Sequence, residues 1–278
     1  MLKKLLKYEF MSTARIFVLC YVGVLAAAVL LRLSGALNYS NSDSFPMADL
    51  AAIISSLAYS GMVVSVIVVT FLFILQRFYK NLLGGEGYLM HTLPVTSRQL
   101  IFSKLIAAVT WTVLSGVVVV LSVFVLSMTS DLFSDMISEL HDMLRWYHAS
   151  FSTPLILLAL EAVLMVLAAI AASVLQIYAA IMIGQQASKH KIILSVAAYF
   201  GINIVLSIAG YYCLLELVFG IMPGSVLQAL GQWLSGLSES PTLLMQLFML
   251  LLIVFYLALS VLFFAVTEWI MRRRLNLE

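Results

Sequence analysis

The chain has 278 residues, 63% of them hydrophobic and only 10% charged, with a mean hydropathy of +1.10. An average soluble domain is about 45–50% apolar and about 25% charged, so a soluble fold is excluded and the bilayer must be the solvent for most of the chain. The formal net charge of +2 decides little, but its distribution along the chain decides the topology.

The N-terminus, MLKKLLKYEFMSTARIF, is basic and amphipathic. Leu2, Leu5, Leu6 and Phe10 follow helical spacing, with Lys3, Lys4 and Lys7 on the other side. Residues 1–15 are expected to form an interfacial helix on an anionic leaflet. A cleavable signal peptide is the competing reading, since Ala26, Ala27 and Ala28 follow an apolar run. It is set aside because Arg15 lengthens the basic region and the apolar run from Ile16 to Leu31 is too long.

Six spans are expected, at about 16–37, 50–75, 100–128, 154–183, 192–219 and 242–270. Between the first two lies a polar loop in which Asn38-Tyr39-Ser40 matches a glycosylation acceptor pattern that often arises by chance. Residues 129–152 form an acidic outer loop. In it Leu132, Phe133, Met136, Ile137, Leu140, Met143, Leu144 and Tyr147 repeat with a period near 3.6, and Asp131, Asp135, Glu139 and Asp142 take the other face. This predicts an amphipathic helix lying flat on the outer surface, with Ser130 as its cap. The fifth apolar run is long for one crossing, and residues 220–241 are punctuated by Gly and Pro, so a re-entrant outer segment is expected there. The fold class is therefore an all-α integral membrane protein, with residues 1–278 forming a single transmembrane domain.

Placing both termini in the cytoplasm puts thirteen of the fifteen Lys and Arg residues inside and leaves Arg32 and Arg145 outside. The positive-inside rule selects that orientation. Cys20 and Cys213 then lie toward opposite faces, and no disulfide between them is expected. CxxC and HExxH patterns are absent, so no metal site is indicated.

The main cytoplasmic connector runs from Gln76 to Lys104, with its coupling segment at 76–99. Arg77 and Lys80 extend the second span and are expected to meet phosphate headgroups. Gly84, Gly85 and Gly87 around Glu86 allow a sharp turn. Tyr88-Leu89-Met90-His91 is a short apolar patch stopped by Pro94. It reads either as a peg for a groove on another protein or as a segment packed on the membrane surface. Thr96-Ser97-Arg98-Gln99 fits a capping box that starts the third span.

The stretch FYKNLLGGEGYLMHTLPVTSRQLIFSKLI resembles the corresponding segment of bacterial type-2 ABC exporter permeases. Those often read Y-K-N-L, then E-G-Y-L, then T-L-P-V, with a Ser-Lys-Leu run opening the next helix. Here Tyr79, Lys80, Asn81, Leu82, Glu86, Gly87, Tyr88, Leu89, Thr92, Leu93, Pro94, Val95, Ser103, Lys104 and Leu105 fill those places. The opening MLKKLLKYEF is also similar to that family. The resemblance is motif-specific for residues 1–10 and 79–105 and covers the rest in layout. It implies a permease working as a dimer with a second copy or a paralogue, joined to cytoplasmic ABC ATPase subunits. It implies ATPase coupling through Glu86, Tyr88, Leu89, Met90, Leu93 and Pro94. ATP and Mg would be bound by the partner. This chain carries no G-x-x-x-x-G-K-[ST] loop to cradle phosphates, so no cofactor of its own is expected.

Within the spans, Glu161 and Glu216 are candidates for a substrate path or outer gate. Glu161 reads equally as a structural group paired with Arg32, and Glu216 as a solvated helix end. Gln176 and Asn203 are expected to bond neighbouring helices. Glu268 is expected to pair with Arg272 four positions on. His141 and His148 on the outer helix read as incidental. The resulting expectation is an ATP-driven exporter subunit in a bacterial cytoplasmic membrane, moving an amphipathic or lipophilic substrate. Its partners are ATPase subunits, a second permease and lipids, not nucleic acid. The alternatives are a secondary transporter, or a scaffold or sensor without an ATPase. The lack of a visible internal repeat weighs against the first.

Overall fold

The computed structural model describes residues 2–40, 46–82, 96–127, 130–151, 154–187, 190–219, 229, 232, 236 and 241–273. Among these are seven long helices and no strand. They are α1 (Leu2–Ser40), α2 (Pro46–Leu82), α3 (Ser97–Ser127), α4 (Ser130–Ser150), α5 (Leu155–Gly184), α6 (Lys191–Phe219) and α7 (Pro241–Arg273). Six of them, all but α4, are long and apolar enough to cross a bilayer, at Leu5–Gly35, Leu50–Lys80, Ser97–Ser127, Leu155–Gly184, Lys191–Cys213 and Thr242–Arg272. These match the six expected runs.

The first difference is at the N-terminus. Residues 1–15 were expected to be a separate interfacial helix, but α1 runs unbroken from Leu2 to Ser40. No Gly or Pro interrupts the chain before Ile16. The polar side chains here bond to their own helix: the Ser12 hydroxyl donates to the Glu9 carbonyl (3.1 Å), and the Thr13 hydroxyl to the same carbonyl (2.8 Å). Such back-bonding keeps polar side chains satisfied inside a continuing helix. At 39 residues α1 is about 58 Å long, well beyond a hydrocarbon core of about 30 Å, so its first turns extend the span into the basic end.

The chain divides into two compact units, Met1–Asp142 and Met143–Glu278. In the first, α1 is the central helix and packs against both α2 and α3, which touch each other less. Phe17 supplies the centre of this packing. It is 1% exposed, stacks on Trp111 (ring centroids 4.4 Å apart) and meets Phe73 edge-on (5.2 Å). Hydroxyl pairs tie the three helices at successive depths. Tyr21 Oη and Thr70 Oγ1 each lie 2.9 Å from Ser115 Oγ, Tyr59 Oη lies 3.0 Å from Ser122 Oγ, and Ser34 Oγ lies 2.7 Å from Ser55 Oγ. Where water is absent, such pairs position helices that dispersion alone would hold loosely.

In the second unit α5 is central and packs against α6 and α7. Its buried face is rich in small residues, including Ala168, Ala172, Ala179 and Ala180, which let neighbouring backbones come close. Gly184 ends α5, and α6 begins at Lys191. His190 sits there with φ 59°, in the left-handed region. Its carbonyl accepts the Leu194 N–H (3.1 Å), the first bond of α6. Helix α6 runs to Phe219 as one piece. The re-entrant segment expected at 220–241 falls almost wholly outside the described residues.

Helix α4 forms where the 3.6-residue repeat predicted it, over Ser130–Ser150. Four residues of its apolar side, Ile137, Leu140, Met143 and Trp146, are exposed. Tyr147 is buried, stacked on Phe151 (5.3 Å). Two residues separate α4 from α3, and four separate it from α5. These short links tether α4 to two spans.

Candidate functional site

The connector that the sequence singles out begins at Gln76 and ends at Lys104. Residues 83–95 lie outside the described residues, and with them Glu86, Tyr88, Leu89, Met90, Leu93 and Pro94. The two ends of the connector are described, and they converge.

At its start, the Arg77 Nε donates to Glu9 Oε2, and its Nη2 donates to Ser12 Oγ at 2.7 Å. At its end, the Lys104 ammonium pairs with Glu9 Oε1. One carboxylate of α1 thus holds both ends of the connector, one oxygen for each cation. Burial is uneven. The side chains of Lys104 and Glu9 are 1% and 3% exposed, whereas that of Arg77 is 24% exposed. Removing two charges from water is costly, and their attraction offsets this only with close geometry. Using both carboxylate oxygens meets that condition.

Arg77 was expected to meet lipid phosphate. Its guanidinium instead turns to the protein, because α1 presents a carboxylate and a hydroxyl at that depth. Lys80 keeps an exposed side chain. The restart of the helix is as the sequence predicts. Gln99 N donates to Thr96 Oγ1, and Thr96 N donates to Gln99 Oε1, both at 3.4 Å, with α3 beginning at Ser97. The reciprocal capping box fixes where α3 begins, and Lys104 follows about two turns later, on the face that meets α1.

Above the carboxylate lie Phe10, Phe17, Tyr21 and Trp111, and beyond them the Tyr21–Ser115–Thr70 hydroxyl cluster, about 16 Å along α3 from Lys104. A Tyr21→Phe substitution is expected to cost well under 1 kcal/mol, in line with the average of about 0.6 kcal/mol for interhelical hydrogen bonds in membranes. Unfolding in mixed micelles measures it. Beside this cluster α2 and α3 leave a groove of about 550 Å³, with Val66, Ile74, Gly116 and Val119 among its walls. Its apolar walls suit hydrocarbon.

The other sequence candidates lie in the second unit. Glu161 is half-buried about 9 Å into α5, and Glu216 is buried, at 8% exposure, in the last turn of α6. Arg32 donates to the Val125 carbonyl in its own unit (3.4 Å). Asn203 was expected to bond a neighbouring helix, but its amide donates to the Tyr199 carbonyl one turn back in α6 (2.8 Å). The buried Gln176 Nε2 has no hydrogen-bond partner among the described residues. Glu268 pairs with Arg272 at 2.7 Å, as the spacing predicts. Among the described residues no three His, Cys, Asp or Glu side chains gather to hold a metal ion.

The motifs around Glu9 and Lys104 do not by themselves pair the two residues. Signals were present for both. Glu9 is the sole acidic residue before Asp43 and sits in a basic stretch. Lys104 lies within LIFSKLIAAV, where a cation amid apolar helix residues requires an anion. Comparison with known proteins supplies no relative, since no family model, curated protein or solved structure matches the chain.

Proposed function

We propose that this chain is the membrane-spanning subunit of an ATP-driven ABC exporter, and that a separate cytoplasmic ATPase drives it through the 76–104 connector. The observation that carries the reading is the convergence of Arg77 and Lys104 on Glu9. A loop that merely joined two spans would need no such anchorage. A loop that receives force needs its base tied to the helices it moves. The six spans, the thirteen-to-two distribution of basic residues and the permease-like motifs at 1–10 and 79–105 support the same reading.

In this account Glu86, Tyr88, Leu89, Met90, Leu93 and Pro94 form the surface that the ATPase engages. Both termini and the connector face the cytoplasm, and ATP and Mg belong to the partner. A second copy or a paralogue completes the translocation path, which Glu161 and Glu216 line near its outer end. The sparse charge within the spans favours an amphipathic or lipophilic substrate.

Two measurements test this. Affinity purification of the tagged chain from its native membrane is expected to bring down an ATPase subunit in stoichiometric amount, and transport by the purified chain alone would overturn the reading. Leu89→Glu or Met90→Glu is expected to abolish substrate-stimulated ATP hydrolysis while membrane insertion stays normal. Full stimulation in those variants would remove the patch from the mechanism.

A further inference from the structure

We propose that Glu9 is a latch holding the two ends of the connector on α1, with Lys104 its fixed half and Arg77 the half that opens. The inference deepens the coupling reading above, and only its transport consequence rests on that reading.

Three observations carry it. First, the carboxylate is shared: Oε1 takes Lys104 and Oε2 takes Arg77. Glu9 therefore stands between two cations, on α2 and α3, that would otherwise repel. Such repulsion is strong where little water intervenes. Second, the halves differ in access. Lys104 is sealed at 1% exposure, whereas the Arg77 side chain is open to solvent at 24%. Third, Arg77 has another place to go. Its Nη2 already donates to Ser12 Oγ (2.7 Å), and that hydroxyl donates on to the Glu9 carbonyl (3.1 Å). Arg77 can leave the carboxylate while keeping a hydrogen bond to α1. A push on the connector then moves the end of α2 relative to α1 while α3 stays locked to it. The connector cannot shift as a whole without moving α1 as well.

The test is a distance measurement between spin labels in the full chain, with Cys20 and Cys213 replaced by serine. One pair reads the latch end, at Tyr79→Cys on α2 and Ile106→Cys on α3. A second pair reads the far end, at Leu57→Cys on α2 and Val123→Cys on α3. All four positions are exposed. Glu9→Gln is expected to widen the distance distribution at the latch end and leave the far end unchanged, because the Tyr59–Ser122 pair still holds there. Adding Arg77→Gln to Glu9→Gln removes one of the repelling cations and is expected to narrow the latch-end distribution again. Arg77→Gln alone is expected to widen it less than Lys104→Gln does. An unchanged latch end in Glu9→Gln overturns the proposal. So does equal widening at both ends, which marks a general loss of packing, and so does a failure of Arg77→Gln to restore the narrow distribution. An Arg77→Gln effect equal to that of Lys104→Gln overturns the assignment of halves. With the ATPase present, Glu9→Gln is expected to retain ATPase binding and lose most transport. If no ATPase partner exists, that arm alone falls and the distance measurements still decide the latch.

Discussion

Lys104→Met is expected to destabilise the protein by about 3–5 kcal/mol, the usual cost of removing one member of a buried ion pair. The cause is the carboxylate left behind. Glu9 is 3% exposed, and methionine offers its Oε1 nothing in place of the ammonium. Arg77 still holds Oε2, but from a more solvated position, so it compensates only in part. Unfolding followed by helical circular dichroism in mixed micelles measures the loss. The double variant Glu9→Leu with Lys104→Met is expected to recover much of it, since replacing both charges by apolar groups is often neutral or stabilising. Recovery of stability without recovery of transport would separate the pair's contribution to stability from the coupling role proposed for it. Lack of recovery in the double variant would mean that the carboxylate is needed for packing as well as for charge.

Gly184→Ala is expected to disrupt the close packing of α5 on α6, at a cost at or above the upper end of the roughly 1–3 kcal/mol typical of overpacking. A Cβ at Gly184 would lie 2.5 Å from the Ser195 nitrogen and 2.6 Å from its Cα. Those are backbone atoms of α6, so no side-chain rotation relieves the clash. Ser195→Ala on top of Gly184→Ala is therefore expected to restore nothing. Gly116→Ala provides the control. A Cβ there meets nothing within 4 Å, and alanine is about 1 kcal/mol better than glycine in a helix interior. That variant is expected to be neutral or slightly stabilising in the same unfolding assay. Equal losses at the two positions would contradict the close approach of α5 to α6.

The two predictions rest on parts of the molecule that were unequally visible beforehand. The amphipathic repeat of α4, the capping box at Thr96 and Gln99 and the Glu268–Arg272 pair involve residues within one or a few turns of each other. Helix geometry alone brings those together. The six spans were visible for a similar reason. A bilayer core demands about twenty apolar residues in a row, and the chain meets that demand six times without reference to any other segment. The N-terminal fifteen residues show the limit of such reasoning. Their amphipathic pattern described a helix correctly. It did not reveal that Glu9 would be drawn against α2 and α3, so that these turns continue the first span.

Glu9, Arg77 and Lys104 are far apart in sequence, as are Tyr21, Thr70 and Ser115. Their meeting depends on how each helix is rotated about its own axis and at what depth it packs. In a bilayer apolar burial sets neither strongly, because lipid tails are as apolar as the side chains they touch. Polar pairs and small residues decide them instead. Sequence alone therefore determined that this is a six-span helical membrane protein with a basic connector between its second and third spans. Only the tertiary structure decided that both ends of that connector close on a single buried carboxylate, because only packing selects which scarce charges meet away from water.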